Sequence, residues 1–103
     1  MAKEIILYNL KDSVSDSEYL QYCEEKKGPL IKCLPSCIDF TLVRITGSQK
    51  GDSPYAYVGI VDVTSIEDWK RDAASKTFQD FLKEWIPMVK DFHILMGNEI
   101  YGA

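Results

Sequence analysis

The sequence predicts an α+β fold of the ferredoxin-like βαββαβ type, with a four-stranded antiparallel sheet that pairs with a second copy of the chain. Three observations carry this. Four strand-like runs and two helical regions alternate as strand, helix, strand, strand, helix, strand. The run Pro54-Tyr-Ala-Tyr-Val-Gly-Ile-Val-Asp-Val63 is almost wholly aromatic, β-branched or small, so it needs cover on both faces. Two capping-box signatures, Ser15-Asp-Ser-Glu18 and Thr64-Ser-Ile-Glu67, open the helical regions.

Residues 3–10 form the first strand. Ile5, Leu7 and Asn9 face one way, and Ile6, Tyr8 and Leu10 the other. Lys11-Asp-Ser-Val14 turns the chain, and the first capping box starts a helix carrying Tyr19, Leu20, Cys23, Leu30, Ile31 and Leu34 near helical spacing. Gly28-Pro29 interrupts that helix, because proline lacks the amide donor and crowds the preceding turn. Pro35-Ser36 stops it. The second strand covers 37–46, with Ile38, Phe40 and Leu42 on one face and Val43 and Ile45 on the other. Gly47-Ser-Gln-Lys-Gly-Asp-Ser-Pro54 is a polar loop.

The third strand places Tyr55, Tyr57, Val61 and Val63 on one side and Ala56, Val58 and Ile60 on the other. Thr64 then caps a helix with Ile66 and Trp69. Ser75 caps another, whose stripe is Phe78, Phe81, Leu82, Trp85 and Val89, with an irregular last turn at Pro87. Residues 92–100 are the fourth strand. The first and third strands are central, and both are apolar on two faces. Helices cover one face only. The simplest cover for the other is a second copy of the chain, so a two-fold homodimer is expected.

At 103 residues the chain is expected to be one domain, 1–103. Its net charge of −4 argues against nucleic acid as a partner and against an anionic membrane surface. No apolar run approaches the roughly 20 residues that span a bilayer. The apolar part of Met1–Leu10 is too short for a secretion signal, so a cytoplasmic location is expected. Cys23, Cys33 and Cys37 match no zinc or redox spacing and read as buried or half-buried free thiols.

Several stretches resemble the REDY-like, HapK-like family of prodigiosin-type tripyrrole biosynthesis, within the dimeric α+β barrel superfamily. They are Ile6-Leu-Tyr-Asn-Leu-Lys-Asp12, Leu34-Pro-Ser36, Val43-Arg-Ile-Thr-Gly47, Pro54-Tyr-Ala-Tyr-Val58, and Phe92-His-Ile-Leu95 with Glu99-Ile100. The resemblance implies a ferredoxin-like fold, a two-fold dimer and a place in secondary-metabolite biosynthesis. It carries over no catalytic residues. Fold alone does not choose among the activities found on such barrels.

The residues able to carry chemistry are polar or aromatic groups on apolar elements: Asn9, Tyr22, Tyr57, Trp69, Trp85 and His93. They are expected to converge on a cavity between sheet and helices, with His93 and Asn9 as catalytic candidates. Tyr22, Tyr57, Trp69 and Trp85 are the ligand-binding candidates. His93 can relay a proton near neutral pH, or be an ordinary hydrogen-bonded or exposed residue. Asn9 can hold a ligand or a neighbouring backbone. The tryptophans pack the core or stack on a flat substrate. Arg44 and Asp62 read as surface or dimer-edge ion-pair partners. A single histidine without a carboxylate cluster points to no metal site, and no cofactor is expected. No nucleophile elbow or phosphate loop is present.

Two functions therefore stand. One is an accessory protein of tripyrrole-pigment biosynthesis that binds a small aromatic or pyrrole intermediate between sheet and helices. The alternative is a cofactor-independent small monooxygenase or cyclase acting on an aromatic substrate. A barrel serving only as a dimer scaffold is a third possibility.

Overall fold

The computed structural model describes residues 1–102. Strand β1 spans Ala2–Leu10, β2 Cys37–Arg44, β3 Tyr57–Val63 and β4 Val89–Asn98. They form one antiparallel sheet in the order β2-β3-β1-β4, so the first and third strands are central. The fold is the ferredoxin-like α+β arrangement.

The helices are α1 (Asp16–Tyr22), α2 (Gly28–Lys32), α3 (Ile66–Ala73) and α4 (Lys76–Trp85). Ser15 Oγ accepts the Glu18 N–H and starts α1. The second cap lies one residue later than expected. Ser65, in extended conformation, accepts the Asp68 N–H, while Thr64 Oγ1 donates to the Asp68 carboxylate at 2.8 Å. Ser75 caps α4 as expected, through the Phe78 N–H.

Gly28-Pro29 does not break the first helical region. A π-helical turn, Cys23–Lys27, joins α1 to α2. The Gly28 N–H reaches back five residues to the Cys23 carbonyl, which leaves room for the proline that follows. A Cβ at Gly28 would stand 2.8 Å from that same carbonyl oxygen, so the close approach requires glycine.

Other boundaries shift. β3 begins at Tyr57 rather than at Pro54, and β4 begins at Val89, after a short 3-10 turn at Ile86–Met88 that contains Pro87. Val89 thus belongs to the strand, not to the helix stripe. An irregularity between Cys37 and Asp39 separates Ile38 from Phe40 and Leu42: Ile38 is exposed, whereas the other two pack on the core. Among the cysteines only Cys23 is buried; Cys37 is half-buried and Cys33 exposed.

The sheet has two unlike faces. Glu4, Ile6 and Tyr8 of β1, with Tyr57, Gly59, Val61 and Val63 of β3, lie under the helices and are buried. Ile5, Leu7, Val58 and Ile60 alternate with them and point away from the helices, half-buried, beside Leu95 and Val43. The core lies in the helix–sheet layer. Among the described residues no helix is long and apolar enough to cross a membrane.

Candidate functional site

Between the sheet and α2, α3 and α4 lies a cavity of about 210 Å³. Its walls are Ile6, Ile31, Val61, Trp69, Phe78, Phe81 and Trp85, and two exposed residues, Gln79 and Ile94, stand at its mouth. The even positions of β1 and the stripe of α4 supply these groups because both faces were patterned for burial. Ring contacts join the wall: Trp69 meets Phe78 edge-on at 5.7 Å, and Phe81 stacks on Trp85 at 6.4 Å.

Two charged residues break this apolar lining, Glu4 and Lys27. Glu4 is 6% exposed and Lys27 is 1% exposed. Such groups are almost never buried without a partner. Trp69 Nε1 donates to Glu4 Oε2, and Oε1 has no hydrogen-bond partner among the described residues. Burial pushes the Glu4 carboxyl upward; the Trp69 hydrogen bond and the Lys27 charge only partly restrain it.

Lys27 Nζ lies 2.9 Å from the Tyr19 hydroxyl and 3.1 Å from that of Tyr8. Those hydroxyls are 2.6 Å apart, and Trp85 Nε1 donates to Tyr19 at 2.9 Å. Nζ also sits 4.9 Å from the ring centroids of both Tyr8 and Trp85. Among the described residues neither Lys27 nor Glu4 forms an ion pair. Burial lowers the Lys27 ammonium to about 8 from 10.5, against the pull of Cys23 and Glu4. The same burial raises Tyr8 and Tyr19, so both stay protonated phenols.

The six sequence candidates divide. Trp69 and Trp85 line the cavity. Tyr57 stands behind its wall, stacked on Tyr8 at 5.5 Å, with its hydroxyl donating to Asp16 at 2.6 Å. Desolvation and that carboxylate raise the Tyr57 phenol to about 12. Tyr22 lies on the far side of Phe81, facing an outer hollow with Leu30 and Glu84. Its buried hydroxyl has no partner among the described residues.

Asn9 and His93 do not reach the cavity, which corrects the expected convergence. Asn9 is the penultimate residue of β1, where its amide accepts from the Ala56 N–H at 2.8 Å and donates to the Pro54 carbonyl at 2.9 Å. It is a tie between strand ends, beside the β1–β4 register shift, where Asp91 takes a positive φ of 54°. Asn9 and Tyr57 do meet, at an open polar groove shared with Asp16 and Lys90. His93 pairs with Leu7 on the face turned from the helices, exposed, with the Tyr55 ring edge-on at 5.7 Å. Strand parity is the cause: Leu7 and its partner point opposite to Ile6 and Tyr8. Arg44 and Asp62 form outer ion pairs, with Asp16 and Lys3 respectively.

Lys27 and Glu4 are not among the sequence candidates, because charged residues ordinarily lie exposed. Lys27 closes the run Glu24-Glu25-Lys26-Lys27, which looks like a solvated helix face. The signal that could have found them was position: Glu4 shares its strand face with Ile6 and Tyr8, and Lys27 stands between Cys23 and Ile31 on one four-residue stripe. Among the described residues no group of three or more His, Cys, Asp or Glu is placed to hold a metal ion.

A ferredoxin-like sheet with a small aromatic cavity beneath its helices defines the class, and comparison with known families gives the particular one. The family model for REDY-like protein HapK matches residues 2–100, and the chain belongs to that family. HapK from Hahella chejuensis is 22% identical, with a TM-score of 0.81 over 100% of this chain and 99% of that one. A dimeric ferredoxin-like protein of unknown function from Thermobifida fusca is 16% identical, with a TM-score of 0.74 over 93% and 88%. A point mutant of SnoaB, a cofactor-independent oxygenase from Streptomyces nogalater, is 13% identical, with a TM-score of 0.79 over 98% and 94%. These likenesses establish the fold. No curated protein sequence matches the chain significantly.

Proposed function

We propose that the chain is a cytoplasmic binding protein of pigment-type secondary metabolism that holds a small, flat aromatic or pyrrole intermediate between its sheet and helices. The observation that carries this is the aromatic-walled cavity with Trp69 and Trp85 in its lining. Its volume of about 210 Å³ is below the roughly 300 Å³ at which drug-sized sites begin. It suits one or two rings rather than a complete tripyrrole. Family membership supplies the metabolic context.

Trp69 and Trp85 are the protein's two tryptophans, so their fluorescence reports occupancy directly. Titration with pyrrole and with bipyrrole should give saturable quenching, stronger for the two-ring compound. Absence of quenching by both defeats the reading.

The second reading is a cofactor-independent oxygenase or cyclase. The buried Lys27 amine and Glu4 carboxyl favour it, since opposed shifts in one mostly apolar cavity are what acid–base chemistry needs. In it Lys27 and Glu4, not His93 and Asn9, are the reacting groups. Mass spectrometry on incubated candidate intermediates separates the two readings: unchanged ligand supports binding alone, and conversion lost in Lys27→Met supports the enzyme.

The assembly that fits is a two-fold homodimer with a second copy on the open sheet face. Its support is the apolar set Ile5, Leu7, Val58, Ile60 and Leu95, and a fold relative described as dimeric. Sedimentation at micromolar concentration should give twice the chain mass; a stable monomer rules the assembly out.

A further inference from the structure

Resting on the binding reading above, we propose that the cavity selects a flat ligand with an acidic O–H or N–H, and that Lys27 holds this ligand as its anion. A buried cation without an ion pair among the described residues, in a wall that is otherwise mostly apolar, points to this. The Lys27 ammonium has a third N–H after Tyr8 and Tyr19 take the first two. A buried donor left unmade is costly, and an anionic ligand atom would satisfy it.

Burial lowers the Lys27 ammonium only to about 8, so at neutral pH it is charged and can only donate. An acidic ligand is then held in its ionised form: its O–H or N–H bond breaks, the proton passes to solvent, and the anion pairs with the ammonium. The ionisable groups that face Lys27 are Tyr8 and Glu4 from β1, Tyr19 from α1 and Cys23 from the π turn. Trp85 of α4 and Phe40 of β2 bring rings without charge.

The probe is 7-hydroxycoumarin, a two-ring phenol whose neutral and ionised forms absorb at different wavelengths; its methyl ether, 7-methoxycoumarin, is the control that cannot ionise. In wild-type protein the absorption titration of the bound phenol should shift downward by about one pH unit, roughly tenfold in the ionisation constant. In Lys27→Met the shift should vanish or reverse, because a dry cavity without the amine penalises the anion. A bound dye that keeps the neutral spectrum in wild-type protein overturns the proposal and leaves the binding reading intact, and that measurement needs no variant. Retention of the anion in Lys27→Met overturns the role of Lys27. If neither dye quenches tryptophan fluorescence, the binding reading falls as well.

Discussion

The two faces of the sheet invert the usual expectation. The face covered by helices holds the buried carboxyl of Glu4 and meets the buried amine of Lys27, while the open face presents Ile5, Leu7, Val58, Ile60 and Leu95. Buried charge is costly and open apolar surface is a liability, so each departure needs a reason. On the covered face the proposed reason is a ligand at the cavity, and on the open face the proposed reason is assembly. Titratable groups in a dry wall acquire shifted acidities, whereas aliphatic groups on an open sheet acquire only a tendency to be covered.

Breaking the covered face should cost most. Trp69→Ala removes a cavity wall and the donor to Glu4, and should lower stability by about 3–5 kcal/mol in urea unfolding. A loss under about 1 kcal/mol would mean that the wall is loosely packed.

The same face should impose a pH dependence. Burial holds the Lys27 ammonium at about 8 against its ordinary 10.5, so between those values the unfolded chain binds more protons at this site than the folded one. Stability should rise as pH climbs from about 8 toward 10.5, by at most roughly 3 kcal/mol. Cys23 and Cys37, raised by burial above their ordinary 9.0, and Tyr8 and Tyr19, raised above 10.0, oppose this, so the clean window ends near 9. Urea midpoints between about pH 8 and pH 9 should climb in wild-type protein and stay flat in Lys27→Met.

On the open face Ile60→Asp places a charge where a second copy is proposed to sit. It should weaken the dimer by roughly a hundredfold or more, near 3 kcal/mol, because an unpaired buried charge is destabilising. Sedimentation should show monomer, with dye binding retained. Unchanged dimer would move the interface elsewhere.

The smallest effects belong to the two residues that strand parity separates from the cavity. Asn9→Ala should cost about 1–3 kcal/mol through the lost Ala56 and Pro54 bonds, and should leave ligand quenching unchanged. His93→Ala should change quenching negligibly and stability by less than about 0.5 kcal/mol for the separated chain. Loss of ligand affinity in either variant would return these residues to the site.

The fold was legible because its signals are local and redundant. Period-two patterning in β1 and β3 and the stripe Phe78, Phe81 and Trp85 each identify an element and its buried face. Caps were legible to within a residue: Thr64 and Ser65 are equivalent as signals, and only backbone geometry selects Ser65. The lining of the cavity was half legible. Trp69 and Trp85 were found because large rings on apolar stripes are conspicuous. Lys27 and Glu4 were not, because charge is normally read as exposure, and only tertiary packing buries it here. His93 was conspicuous by chemistry and misplaced by geometry, since a lone strand does not say which face the helices cover.

The π turn at Cys23–Lys27 also sets an angular register. Tyr19 and Ile31 lie twelve positions apart, which on an unbroken α-helix at about 100° per residue would leave them roughly 120° apart around the axis. The wide turn absorbs one residue, about 100° of rotation, and returns the two to within about 20°. Tyr19, Cys23, Lys27 and Ile31 are therefore all buried on one line at a spacing of four. An unbroken helix of the same length could turn Tyr19 or Ile31 toward the sheet, but not both. The single extra residue works like a tooth in a gear, setting which side chains meet the sheet.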